Sequence, residues 1–130
     1  MKQTIEVSTS QRIQTLDITA DVQAAIGALD SGICVVYSPH TTTGVTINEG
    51  ADPDVARDVE RTLAKLFPKE GDYRHYEGNS DSHLKSILTG ASATMLVEEG
   101  KLVLGRWQSV YFCEFDGPRT RRVFVKTIAG

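Results

Sequence analysis

Two cysteines, one tryptophan and four prolines in 130 residues leave several protein classes without their raw material. Two thiols cannot build a disulfide-stapled scaffold. Both Cys34 and Cys113 sit inside strand-like apolar runs, and buried free thiols of a cytosolic protein are expected. No apolar run approaches the ~18–20 residues that a membrane span needs. The opening residues MKQTIEVSTS lack the apolar stretch of a secretory leader, so the expectation is a cytoplasmic location and no membrane partner. There is no GxxxxGK[ST] phosphate loop, no GxGxxG fingerprint, no GxSxG elbow and no HExxH pair. Nor is there a strong excess of one charge, since the formal net charge is only −3.

What remains is ordinary globular material, 40% hydrophobic and 24% charged. It suits one domain over residues 1–130, long enough to bury a core. The charge is unevenly placed. Residues 117–130 hold Arg119, Arg121, Arg122 and Lys126 and no acid. Four cations with little aromatic interleaving exclude a nucleic-acid surface as the expected partner but suffice to hold a phosphate or carboxylate.

Alternation predicts strands over Lys2–Val7 and Ile13–Ile18, then a short helix over about 20–29 with Thr19 as N-cap. The run Ile33–Tyr37 reads as a strand buried on both faces, and Thr41–Ile47 as a second strand bent at Gly44. Asp52 and Pro53 open the clearest helix, whose Val55, Val59, Leu63, Leu66 and Phe67 form one apolar stripe. A polar loop over 68–79 leads to a helix near 81–89 with Leu84, Ile87 and Leu88 expected inward. Strands over Ala93–Val97 and Lys101–Leu104 flank a hairpin turn, and Trp107–Phe115 and Thr120–Ile128 flank the turn 116–119. About eight strands and three helices predict an α+β fold, a mainly antiparallel two-sheet sandwich with helices to one side.

The three histidines stand where strands end and loops begin: His40 after the third strand, His75 in the polar loop, His83 in the first turn of the short helix. Three imidazoles can hold a divalent metal such as zinc and leave one position open; the competing reading is three unrelated surface histidines. Asn48 and Glu49, with Glu77, Asn79 and Asp81 around His75 and His83, are candidate acid–base or supporting groups. Glu114 falls on one face of a strand with Val110 and Phe112, where burial requires a partner; Arg119, Arg121 or Arg122 after the turn can supply it. Thr41 and Thr42 beside His40 have the composition of an anion cradle.

These segments in order resemble one family. They are Ser38–Thr42 with Asn48–Glu49, Asp52–Pro53, Tyr73–His75, Glu77–Gly78, Ser82–Lys85, Gly105–Gln108 and Glu114–Arg119. Together they resemble the YjbQ-like family, often labelled secondary thiamine-phosphate synthase, over essentially the whole chain. Arg106 departs from the family's common threonine and would add a cation near the site. The resemblance implies a homotrimer around a threefold axis and a metal site on His40, His75 and His83. It implies weak joining of an aminopyrimidine pyrophosphate to a thiazole phosphate. Catalytic roles would fall to His40, Asn48, Glu49 and Glu114, and Thr41, Thr42, Lys85, Arg119 and Arg121 would hold the phosphorylated ligand. Magnesium would join if that reaction operates. The alternatives are a metal-dependent enzyme or metabolite-binding module of unknown substrate, or a structural trimer without turnover.

Overall fold

A computed structural model describes all 130 residues. Eight strands and three helices follow the order β1 (Gln3–Ser8), β2 (Gln14–Asp17), α1 (Thr19–Ala25), β3 (Gly32–Tyr37), β4 (Thr43–Glu49), α2 (Pro53–Leu66), α3 (Ser80–Thr89), β5 (Ser92–Glu98), β6 (Lys101–Leu102), β7 (Gln108–Glu114) and β8 (Thr120–Ala129). One sheet has the order β1-β8-β3-β5-β6 and the other β2-β7-β4, with every pairing antiparallel. The expected α+β sandwich is present.

The two sheets close on a core that includes Val36, Met95, Val97, Val123 and Val125 from one side and Val45, Val110 and Phe112 from the other. Val22 and Ile26 at the α1 end complete it. The strand buried on both faces is β7, not β3. Val110 and Phe112 point between the sheets, while Tyr111, Cys113 and Phe115 form a second cluster against Ile13 of the preceding loop and Leu63 of α2. On β3 only Cys34 and Val36 are buried; Ile33 and Tyr37 are 39% and 46% exposed. A continuous apolar β-branched run cannot reveal whether a helix covers its second face, and here none does.

Other local expectations shift for identifiable reasons. Thr19 does not cap α1, because its hydroxyl accepts the Val110 N–H at 2.8 Å and donates to Asp17 Oδ1. That helix stops at Ala25, short of the expected 29, and Gly27 follows with a φ of +61°. Gly44 is not a bend. It lies within β4, where a Cβ would meet Thr89 of α3 at 2.5 Å, so its missing side chain lets the helix sit close. Asp52 does cap α2, accepting the Asp54 N–H at 2.9 Å, with Pro53 at the first turn.

The largest reversal is α3. Asp81, Ser82, Lys85 and Ser86 face inward and are buried, while Ile87 and Leu88 are 79% and 60% exposed. Ser86 Oγ donates to the Thr43 carbonyl, Ser82 Oγ to the Phe115 carbonyl at 2.6 Å, and Lys85 Nζ to Asp81 Oδ2 at 2.6 Å. The helix thus docks through hydrogen bonds on the ends of β4 and β7. Its polar face positions the loop before it.

Candidate functional site

One end of the sandwich carries a cleft of about 390 Å³ whose ten lining residues include no hydrophobic one. The loop between β3 and β4 supplies Pro39, His40, Thr41 and Thr42. The loop before α3 supplies His75, Glu77 and Asn79, and α3 itself supplies His83. Arg119 and Arg121 arrive from the turn into β8. The three histidines therefore share one cleft, as their positions at loop boundaries suggested. His75 and His83 meet edge to face with ring centroids 5.4 Å apart.

Beneath this cleft lies a buried ion pair. Glu114 is fully buried at the end of β7 and Arg121 is 3% exposed on β8. Arg121 Nε donates to Glu114 Oε1 at 2.8 Å, its Nη2 donates to the other oxygen, and the same Nη2 reaches Thr42 Oγ1 at 2.9 Å. Thr9 Oγ1 stands 2.8 Å from Glu114 Oε1 and accepts the Arg119 N–H. Burial pushes the Glu114 carboxyl up, but hydrogen bonds from Arg121, Thr9 and the Asp116 N–H outweigh it and hold the group below its ordinary value. Glu114 is thus a fixed anion that orients Arg121, with its lone pairs already engaged.

The His40 ring is held in one tautomer. Its Nε2 accepts the Arg122 N–H at 3.0 Å, so the neutral ring carries its hydrogen on Nδ1. Burial and the nearby Arg121 charge lower its pKa from the ordinary imidazole value. This bears on metal binding. Ligation by all three histidines needs a free lone pair on each, and the His40 lone pair is taken by a backbone amide. No group of three His, Cys, Asp or Glu side chains is arranged for a metal. The donor set as built does not fit three-histidine ligation.

The remaining expected residues separate. Lys85 does not reach the ligand cleft. It is 1% exposed and paired with Asp81, which also receives both guanidinium ends of Arg12 at 3.1 and 3.0 Å. Asn48 and Glu49 lie at the opposite end of β4 from Thr43, six residues or roughly 20 Å along an extended strand. There they line a separate cleft of about 240 Å³ with Ile47, Trp107 and Gln108. Arg106 belongs to that end too, stacked 4.8 Å from the Trp107 ring, so its cation is not a neighbour of the histidines within one chain. Thr9 and Arg12 are parts of the buried framework that the sequence reading missed. No local signal marks them, because each acts across more than sixty residues.

Both thiols are free and buried, and burial among apolar groups pushes Cys113 up to about 12, which leaves it inert as a nucleophile. No helix is long and apolar enough to cross a membrane.

Residues 3–130 match the family described as UPF0047 protein YjbQ-like. The chain is 47% identical to the UPF0047 protein YugU of Bacillus subtilis over 129 residues, covering 97% of this chain and 98% of that one. A crystal structure of a conserved YjbQ/UPF0047 family protein from Clostridium acetobutylicum superposes with a TM-score of 0.95 at 52% identity, covering 97% of this chain and 99% of the other. The protein TT1486 from Thermus thermophilus gives 0.92 at 46% identity, covering 97% and 99%.

Proposed function

The chain belongs to the YjbQ-like UPF0047 family, and we propose that its polar cleft binds a small phosphorylated metabolite and supports weak, secondary thiamine-phosphate synthase-like turnover. The observation that carries this reading is a wall in which every residue but Pro39 is polar, with three imidazoles and two guanidiniums lining one space. In that reaction a thiazole nitrogen forms a bond to the aminopyrimidine methylene carbon as the carbon–oxygen bond to pyrophosphate breaks. Cationic donors at the leaving oxygens would stabilise the departing charge. Arg119 and Arg121 are suited to that work, His83 and His75 can donate hydrogen bonds, and Thr41 can help hold the phosphate.

The same residues predict modest rates. Arg121 is neutralised by Glu114, and Arg119 shares its guanidinium with Asp116 at 2.9 Å. Little uncompensated positive charge is left to pull pyrophosphate away. Anion binding should therefore exceed catalysis. Calorimetry should detect binding of inorganic pyrophosphate, and a synthase assay should give turnover well below the ~10 s⁻¹ typical of enzymes. His83→Ala and Arg119→Ala should each lower that rate; an acid–base contribution from His83 would be worth about 10²-fold or more. A rate unchanged in both variants would remove the cleft from the chemistry, and no pyrophosphate binding at all would remove the reading.

A homotrimer is part of this proposal. Ile33 pairs in register with Leu96 on one side and Ile128 on the other, all more than a third exposed, and Tyr37 stacks on Phe124 nearby. The α2 stripe is also left half uncovered, with Val59 and Leu66 at 42% and 61%. Apolar rows of this kind call for a partner surface, and a closed ring covers them without open-ended growth. Light scattering on the eluting protein should return three chain masses at micromolar concentration; a monomer mass would refute it.

A further inference from the structure

The walls of the histidine cleft are not uniformly donors. Glu77 lines it, and an ionised carboxylate can only accept. Asn79 lines it as well. Its Nδ2 donates to Asp116 Oδ2 at 2.8 Å, and turning the amide over would set its oxygen against that carboxylate, so the orientation is fixed. The residue is 8% exposed and its Oδ1 is buried without any hydrogen-bond partner. A buried acceptor left unmet is costly, and native structures rarely keep one without a use. One unmet oxygen, Asn79 Oδ1, and the half-exposed Glu77 carboxylate, whose Oε1 lies 3.8 Å from His75 Nε2, thus share the cleft with His83, Arg119 and Arg121.

That mixture is unsuited to an anion with no hydrogen of its own. Sulfate would bring lone pairs against the lone pairs of Glu77 and Asn79. An oxyanion that retains an O–H turns the same contact into a hydrogen bond. We infer that the cleft prefers protonated oxyanions of the phosphate class, and that Glu77 and Asn79 are the specificity-determining residues that disfavour fully ionised ones. The inference rests on the anion-binding reading above and adds its selectivity. The preference works through the penalty on the wrong ligand as much as through attraction of the right one. Inorganic phosphate at neutral pH always carries a hydrogen; a phosphate monoester such as the thiazole phosphate keeps one below its second pKa near ~6, and binds best in that form.

The test is calorimetric titration with inorganic phosphate and with sulfate at pH 7 and constant ionic strength, read as the ratio of the two affinities. Wild type should favour phosphate by about tenfold or more. Glu77→Gln, a change in a half-exposed loop side chain, should shrink the ratio several-fold, chiefly through better sulfate binding. Asn79→Leu should shrink it through weaker phosphate binding. Glu70→Gln, an exposed carboxylate of the same loop outside the cleft, should leave the ratio unchanged, separating hydrogen-bond matching from net charge. A wild-type ratio near one, or a ratio unmoved by both cleft variants, overturns the selectivity while anion binding stands. Absence of binding by either ion overturns the anion reading itself.

Discussion

Glu114→Ala should lower stability by about 3–5 kcal/mol, the usual penalty for stranding one member of a buried ion pair. In a domain of this size that is a fall in melting temperature on the order of 10–20 °C. The reason is specific to what remains. Arg121 would keep its charge at 3% exposure with only Thr42 for company, and the Thr9 hydroxyl would lose its partner as well. Adding Arg121→Met should recover part of the loss, because removing both charges costs less than orphaning one. Thermal melts of the single and double variants measure this; a single variant within about 1 kcal/mol of wild type would show that the pair does little for stability. The pH dependence has a definite sign. The folded-state pKa of Glu114 is depressed, so its stabilisation is complete above the ordinary carboxylate value of ~4.3 and is lost as pH falls through the lower folded value. Wild type should therefore lose stability on that acid limb, and the double variant should lose less.

Asp81→Ala should be comparably damaging, about 3–5 kcal/mol, since it strands Lys85 at 1% exposure and releases Arg12. The consequence would extend beyond stability. Asp81 sits one residue into α3, between Asn79 and His83, so its loss should also loosen the loop that carries His75 and Glu77. Denaturant melts measure the first effect and phosphate titration the second. Asp81→Ala with Lys85→Met should restore stability more than the single change does. A single variant as stable as wild type would mean that water, not Asp81, satisfies Lys85.

Much of this arrangement was legible in the chain. The eight strands and three helices follow from alternation and turn residues, and α2 from Asp52, Pro53 and its periodic apolar side chains. A charge on the apolar face of a strand pointed to a partner for Glu114 among Arg119, Arg121 and Arg122, and the structure selects Arg121. Positions at element ends made His40, His75 and His83 candidates for one site and left three unrelated surface histidines as the alternative; the family resemblance favoured convergence, and one cleft is lined by all three. The orientation of α3 did not follow. Asp81, Ser82, Lys85 and Ser86 recur at helical spacing just as Leu84, Ile87 and Leu88 do, so periodicity defines two faces. Only the polar ends of β4 and β7 decide which one docks. Asn48 and Glu49 look adjacent to the Thr41–Thr42 segment in sequence, yet an unbroken strand carries them to the far end of the sheet. Sequence proximity overstates spatial proximity wherever the intervening residues are extended.

The buried framework under the cleft ties Thr9 to Glu114 across 105 positions and Arg12 to Asp81 across 69. Contacts between such distant parts of a chain form late, because the loops they close must first give up their freedom. The β1–β2 connection, the β3–β4 loop, α3 and the β7–β8 turn each bring one piece. No hairpin or helix of this protein holds even a rudimentary version of the cleft by itself. The site is thus a product of completed topology, absent from every partly assembled form. A newly made chain would complete its histidine cleft only at the end of folding and not along the way.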